Sequence, residues 1–160
     1  MYTQDDYVSI TGQIKKRAFA LGIPTAALCG LFIFGVVMHL NRVESWQWIS
    51  YVSLLLAAAL CLFCDGMLIA PLRAYRRHLK DVLFGRTREM TGRFKAIDST
   101  PCLREGVMFY PVILSQGDLE NEEDDRLFYF DAQKPFPDFA AGDDVAVASH
   151  DRRIAHIRRA

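Results

Sequence analysis

The chain has 160 residues, 51% of them apolar, with 19 Lys and Arg balanced by 19 Asp and Glu. That balance excludes a generally basic nucleic-acid binder and an acidic disordered tail. The length suits one small domain plus a membrane anchor, because two long apolar blocks fill the first 72 residues and the charges crowd elsewhere.

Residues 1–17 read as a cytoplasmic N-terminal segment. Thr3 ahead of Asp5 and Asp6 is a helix-start signal. Residues 18–72 read as a transmembrane helical hairpin. Its first block, residues 18–38, runs about 21 residues without a charge, enough for a hydrocarbon core of roughly 30 Å. The second, residues 46–72, carries a single charge, Asp65. A short polar turn, residues 40–45, joins them, and Trp46, Trp48 and Tyr51 supply an interfacial aromatic belt.

Orientation follows from the cations. Lys15, Lys16 and Arg17 precede the first helix, and Arg73, Arg76, Arg77 and Lys80 follow the second. The turn carries only Arg42, beside Glu44. The positive-inside rule then puts both termini in the cytoplasm, with those seven cations as a collar at lipid headgroups.

Small residues recur every four positions: Gly22, Ala26 and Gly30 in one helix, Ser53, Ala57 and Cys61 in the other. The spacing predicts close helix packing on those two ladders. Asp65 continues the second ladder and is expected near Thr25 and the Ala20 carbonyl freed by Pro24, or at the membrane interface. Cys61 and Cys64 have C-x-x-C spacing, but in an apolar helix they read as packing residues. No disulfide is expected.

Residues 73–85 read as a basic helical neck, with Leu72, Tyr75, Leu79 and Val82 on one stripe and Gly85 as its cap. Residues 86–160 read as a small all-β cytoplasmic module, an antiparallel five-stranded barrel or curled sheet. The strands are expected over residues 87–98, with Met90, Gly92, Phe94 and Ala96 on one face, and over 107–114, 127–130, 145–148 and 154–157. Pro111 places the second at an edge or bulge. Phe94, Phe109, Tyr110, Phe128, Phe130, Phe136 and Phe139 are the expected core.

The acidic loop, residues 116–125, lacks the ordered ligand spacing of a calcium loop. The module holds 11 Lys and Arg against 14 Asp and Glu, a charge of about −3, which opposes nucleic-acid stacking on its aromatics. His150, Asp151 and His156 are its candidates for chemistry. They supply too few ligands for a metal, and His150 with Asp151 reads as a turn. No catalytic, cofactor or metal site is expected, and the reading is not an enzyme.

Two apolar helices leading into Thr91, Gly92, Arg93 and Phe94, then residues 110–113, residues 126–131 and residues 142–147, resemble bacterial membrane proteins with a small cytoplasmic β-barrel, the NfeD-like family. The resemblance implies an accessory or scaffold role in the inner membrane, beside a membrane-protein partner or a second copy, and carries over no catalytic residue. The alternative is a small oligomeric transport or channel component using Asp65.

Overall fold

The computed structural model describes residues 1–41 and 46–160. Arg42, Val43, Glu44 and Ser45, which include the charges of the expected turn, lie outside the described residues. The chain divides into two compact units. One is residues 10–73; the other combines residues 1–9 with residues 74–160.

The first unit holds most of α1, Gln4–Leu40, and all of α2, Gln47–Cys64. α2 continues through a π-helical turn, Asp65–Ile69, into α3, Ala70–Phe84. The wide turn closes when the Ala70 amide bonds the Asp65 carbonyl, five residues back. Gln4–Leu40 and Gln47–Phe84 are each long and apolar enough to cross a membrane.

Within this unit the helices run antiparallel. Gly35 meets Ser50, Thr25 Oγ1 lies 3.7 Å from Cys61 Sγ, and Arg17 Nη1 donates to the Leu68 carbonyl at 3.2 Å. Phe34 and Trp46 stack edge to face, 5.4 Å between centroids.

The contact stripe on α1 is Leu21, Thr25, Leu28, Phe32 and Gly35, spaced alternately by four and three as in a coiled-coil seam. Gly22, Ala26 and Gly30 are therefore not the packing ladder: all three are exposed, and a Cβ at Gly22 or Gly30 would meet nothing within 4 Å. A strict four-residue ladder drifts around the helix, whereas the seam alternates threes and fours. On α2, Ser53 and Ala57 are buried and Cys61 is half-buried.

In the second unit six strands follow α3: β1 Arg88–Ile97, β2 Cys102–Arg104, β3 Val107–Ser115, β4 Asp125–Asp131, β5 Asp144–His150 and β6 Arg153–Arg159. Five of them close a barrel in the order β1, β5, β6, β4, β3 and back to β1. The short β2 pairs only with β3, through a hairpin at Glu105 and Gly106, both at positive φ. The all-antiparallel expectation fails at one seam: β4 and β6 run parallel, paired at Tyr129 and Arg153. Counting the five barrel strands alone, this connectivity is that of the oligonucleotide-binding type of Greek-key barrel.

Pro111 sits inside β3, between the residues paired with β2 (107–109) and those paired with β1 (112–115). Its missing N–H costs the ladder nothing there. A bulge in β1 between Phe94 and Ala96 turns Ile97 rather than Ala96 inward.

The barrel core is Phe94, Val112, Leu114, Phe128, Phe130, Val145, Val147, Ile154 and Ile157, with Phe136 and Phe139 packed against it. Phe109 and Tyr110 are not in that core. Phe109 is buried on the barrel's outer face, and Tyr110 is half-buried.

Candidate functional site

Tyr75, His78, Leu79 and Val82 of α3 are all buried, at the i, i+3, i+4, i+7 spacing of a single helical face. Two of the four are polar, and the barrel supplies their partners. In β3 and β4 the inward residues are Val112, Leu114, Phe128 and Phe130, so Phe109 and Asp131 point outward. His78 lies edge to face on Phe109, 5.1 Å between centroids. Tyr75 Oη donates to Asp131 Oδ2 at 2.8 Å.

A third segment joins them. Thr3 caps α1: its hydroxyl accepts from the Asp6 amide at 3.3 Å, while Asp6 Oδ2 accepts the Thr3 amide at 3.0 Å. This cap holds Tyr2 just ahead of the helix. Tyr2 Oη donates to Asp131 Oδ2 at 3.2 Å and lies 3.1 Å from His78 Nε2. Asp131 Oδ1 accepts the Gln133 amide at 2.9 Å. One carboxyl thus gathers two phenols and an amide, with Asp131 0% and His78 1% exposed.

The protons follow from the partners. A carboxylate only accepts, so the Tyr2 hydroxyl spends its hydrogen on Asp131. His78 Nε2 must then be the protonated nitrogen and donate to Tyr2 Oη. That leaves Nδ1 as a buried acceptor, and it has no partner. Burial pushes the His78 imidazole down to about 4, against the pull of Asp131 and with a further push from Arg153. The ring is neutral near pH 7. Burial first, then Asp131, raises both Tyr2 and Tyr75 well above the ordinary phenol value.

Ion pairs ring the cluster. Lys134 Nζ bonds Asp6 Oδ2 at 3.0 Å and lies 5.7 Å from the Tyr2 ring centroid. Arg153 of β6 reaches Asp81 of α3 at 3.6 Å and Glu105 at 3.3 Å. Arg104 lies over the Tyr129 ring, 4.2 Å from its centroid. The arrangement is a clasp. It fastens residues 1–9, α3 and the β3–β4 face with buried, charge-assisted hydrogen bonds. In barrels of this connectivity that strand pair is a ligand-binding face; here the chain's own segments cover it.

Sequence reasoning missed the clasp. Its only local signal is that His78, three residues after Tyr75, puts a titratable side chain on the apolar stripe. Asp131 ends an alternating strand and looks like any strand-end turn residue.

The expected site residues lie elsewhere. Asp65 does not face Thr25: it pairs with Arg73, and both side chains are half-exposed. Thr25 Oγ1 donates to the Leu21 carbonyl at 2.9 Å and touches Cys61. The π-helical turn, which the sequence reading lacked, rotates Asp65 off the ladder. Arg17 caps the Leu68 carbonyl, and Lys15, Lys16, Arg77 and Lys80 are exposed, Arg76 half-exposed. All four cysteines are free.

His150 Nδ1 lies 2.9 Å from the Arg86 carbonyl, and His156 is exposed. Asp151 and Arg152, both at positive φ, turn the β5–β6 hairpin, and the Arg152 carbonyl accepts the Tyr129 amide at 2.8 Å. Asp125 of the acidic stretch pairs with Lys95 at 2.8 Å. Among the described residues no three His, Cys, Asp or Glu side chains are grouped to hold a metal.

Comparison with family models, with curated proteins and with solved structures finds no match to this chain.

Proposed function

We propose that the protein is a membrane-anchored accessory or scaffold protein whose β module binds a partner protein, with both termini in the cytoplasm of a bacterial cell. The observation that carries this reading is the clasp: it commits the barrel's β3–β4 face to the chain's own segments, as suits a mounted module rather than a free ligand-binding barrel. Membrane insertion is supported by the helices themselves. Phe19, Ile23, Ile33, Leu55, Leu62 and Phe63 are all exposed, an arrangement that suits lipid and not water.

The partner surface we assign is the β2 edge. Leu103 and Met108 face each other across the β2–β3 pair and are 67% and 40% exposed. β2 pairs only with β3, so its other side can receive a strand. The transport alternative is weaker, because Asp65 is held by Arg73 in an exposed ion pair.

A photo-crosslinking residue at Leu103 in the full-length chain, expressed in its own cells, tests this reading. A protein adduct is expected there and not from the same residue at exposed Thr91. Equal adducts at both positions, or a homo-oligomer with no other protein, would count against it.

A further inference from the structure

The helical hairpin carries a groove of about 280 Å³, lined by Arg17, Ala20, Pro24, Leu60, Cys64 and Leu68 among others, almost wholly by carbon. Two helix irregularities meet at it. Pro24 has no amide hydrogen and leaves the Ala20 carbonyl without its usual helical donor. Opposite, the π-helical turn Asp65–Ile69 widens the second helix by a residue. Arg17 crosses between them to bond the Leu68 carbonyl at 3.2 Å. That bond uses one N–H of a guanidinium that has five, and pins the group at the groove's rim.

The charge at this rim is one-sided. Arg73 is matched by Asp65, whereas among the described residues no acid pairs with Lys15, Lys16 or Arg17. The groove is smaller than the roughly 300–1,000 Å³ usual for a compact ligand, but open along the helices as a chain-like apolar group requires. A guanidinium fork matches phosphate oxygens two at a time.

We propose that this groove is a binding site for an anionic phospholipid, one acyl chain lying against Pro24 and Leu60 and the headgroup phosphate on Arg17. The proposal rests on the membrane reading above. Each unpaired cation near an anionic headgroup corresponds to roughly fivefold in partition.

The test uses the full chain in phosphatidylcholine vesicles with a trace of phospholipid carrying a photoactivatable acyl tail, either phosphatidylglycerol or phosphatidylcholine. The phosphatidylglycerol probe should label residues 17–24 and 60–68 about fivefold or more above the phosphatidylcholine probe. Arg17→Gln should bring the two to parity, and Ala20→Phe should lower labelling in the groove while sparing that near Trp48. Equal labelling by both probes, even labelling around both helices, or selectivity that survives Arg17→Gln would overturn the site. A carbonate wash separates the two readings. A chain washed off the vesicles refutes membrane insertion itself, whereas a retained chain without selectivity refutes only the lipid site.

Discussion

Tyr75 donates a 2.8 Å hydrogen bond to Asp131, a carboxyl 56 residues away that has no exposure to solvent. The same oxygen accepts from Tyr2, 129 residues away. The neck helix and the first residues of the chain are therefore parts of the barrel's fold and not tethers to it.

The first prediction concerns the boundary of that fold. A fragment of residues 74–160 should unfold at higher urea than one of residues 86–160. The shorter piece leaves Phe109 in water, and burying such a side chain contributes about 1.5–3 kcal/mol. It should also bind a hydrophobic dye. Equal midpoints would mean that α3 does not contribute to the barrel's stability.

Within the longer fragment, Tyr75→Phe should cost about 1.5 kcal/mol in urea unfolding, the loss of one hydrogen bond to a charged group. Asp131→Ala should cost about 3 kcal/mol or more, because it leaves the Tyr75 hydroxyl and the Gln133 amide unmatched together. A smaller loss for Asp131→Ala than for Tyr75→Phe would contradict the shared carboxyl.

The pH dependence has a definite sign. His78 holds its proton less well folded, at about 4, than unfolded, at 6.5. As pH falls from about 6.5 to 4 the unfolded chain takes up a proton that the folded chain refuses, so stability drops by about 3 kcal/mol. Asp131, Asp81, Arg153, Tyr2 and Tyr75 surround the ring and set that value. Asp6, lowered chiefly by its bond to Lys134, adds a loss only below its ordinary 3.8. Above about 10 the phenols reverse the picture: Tyr2 and Tyr75 ionise in the unfolded chain first, and stability falls again. Urea midpoints of the full chain in detergent check this. His78→Leu should flatten the slope between pH 6.5 and 4, and an unchanged slope would assign it to other groups.

The hairpin gives a contrast between glycines. A side chain at Gly35 collides with Ser50 Oγ and comes within 3.3 Å of the Ser50 amide, whereas one at Gly30 meets nothing. Gly35→Val should destabilise the detergent-solubilised hairpin by about 1–3 kcal/mol, the cost of overpacking. Gly30→Val should leave it unchanged. Equal sensitivity at the two positions would mean that the open Gly22–Gly30 face is covered by a second chain.

Topology can be read with an impermeant thiol reagent in a chain lacking its native cysteines. Under the positive-inside arrangement Ser45→Cys should react from outside and Asn121→Cys only after permeabilisation. The reverse pattern would invert the proposed orientation.

The sequence alone determined the two apolar blocks, the five barrel strands and the amphipathic stripe of α3, because hydropathy and the periods of 3.6 and 2 are local properties read within about ten residues. It also marked Pro111 as special. The tertiary structure decided what depends on residues far apart. Which face of α1 meets α2 turned on whether side chains at three- or four-residue steps reach the other helix, so Gly35 packs and Gly30 does not. A single π-helical turn moved Asp65 from Thr25 to Arg73. The parallel β4–β6 seam and the Glu105–Gly106 hairpin rest on pairings that strand patterns do not encode, although the Glu-Gly dipeptide is a turn signal. The clasp is the clearest case. A tyrosine, a histidine and an aspartate scattered over 129 positions carry no shared periodicity, and only closure of the barrel excludes water from them and makes their hydrogen bonds matter.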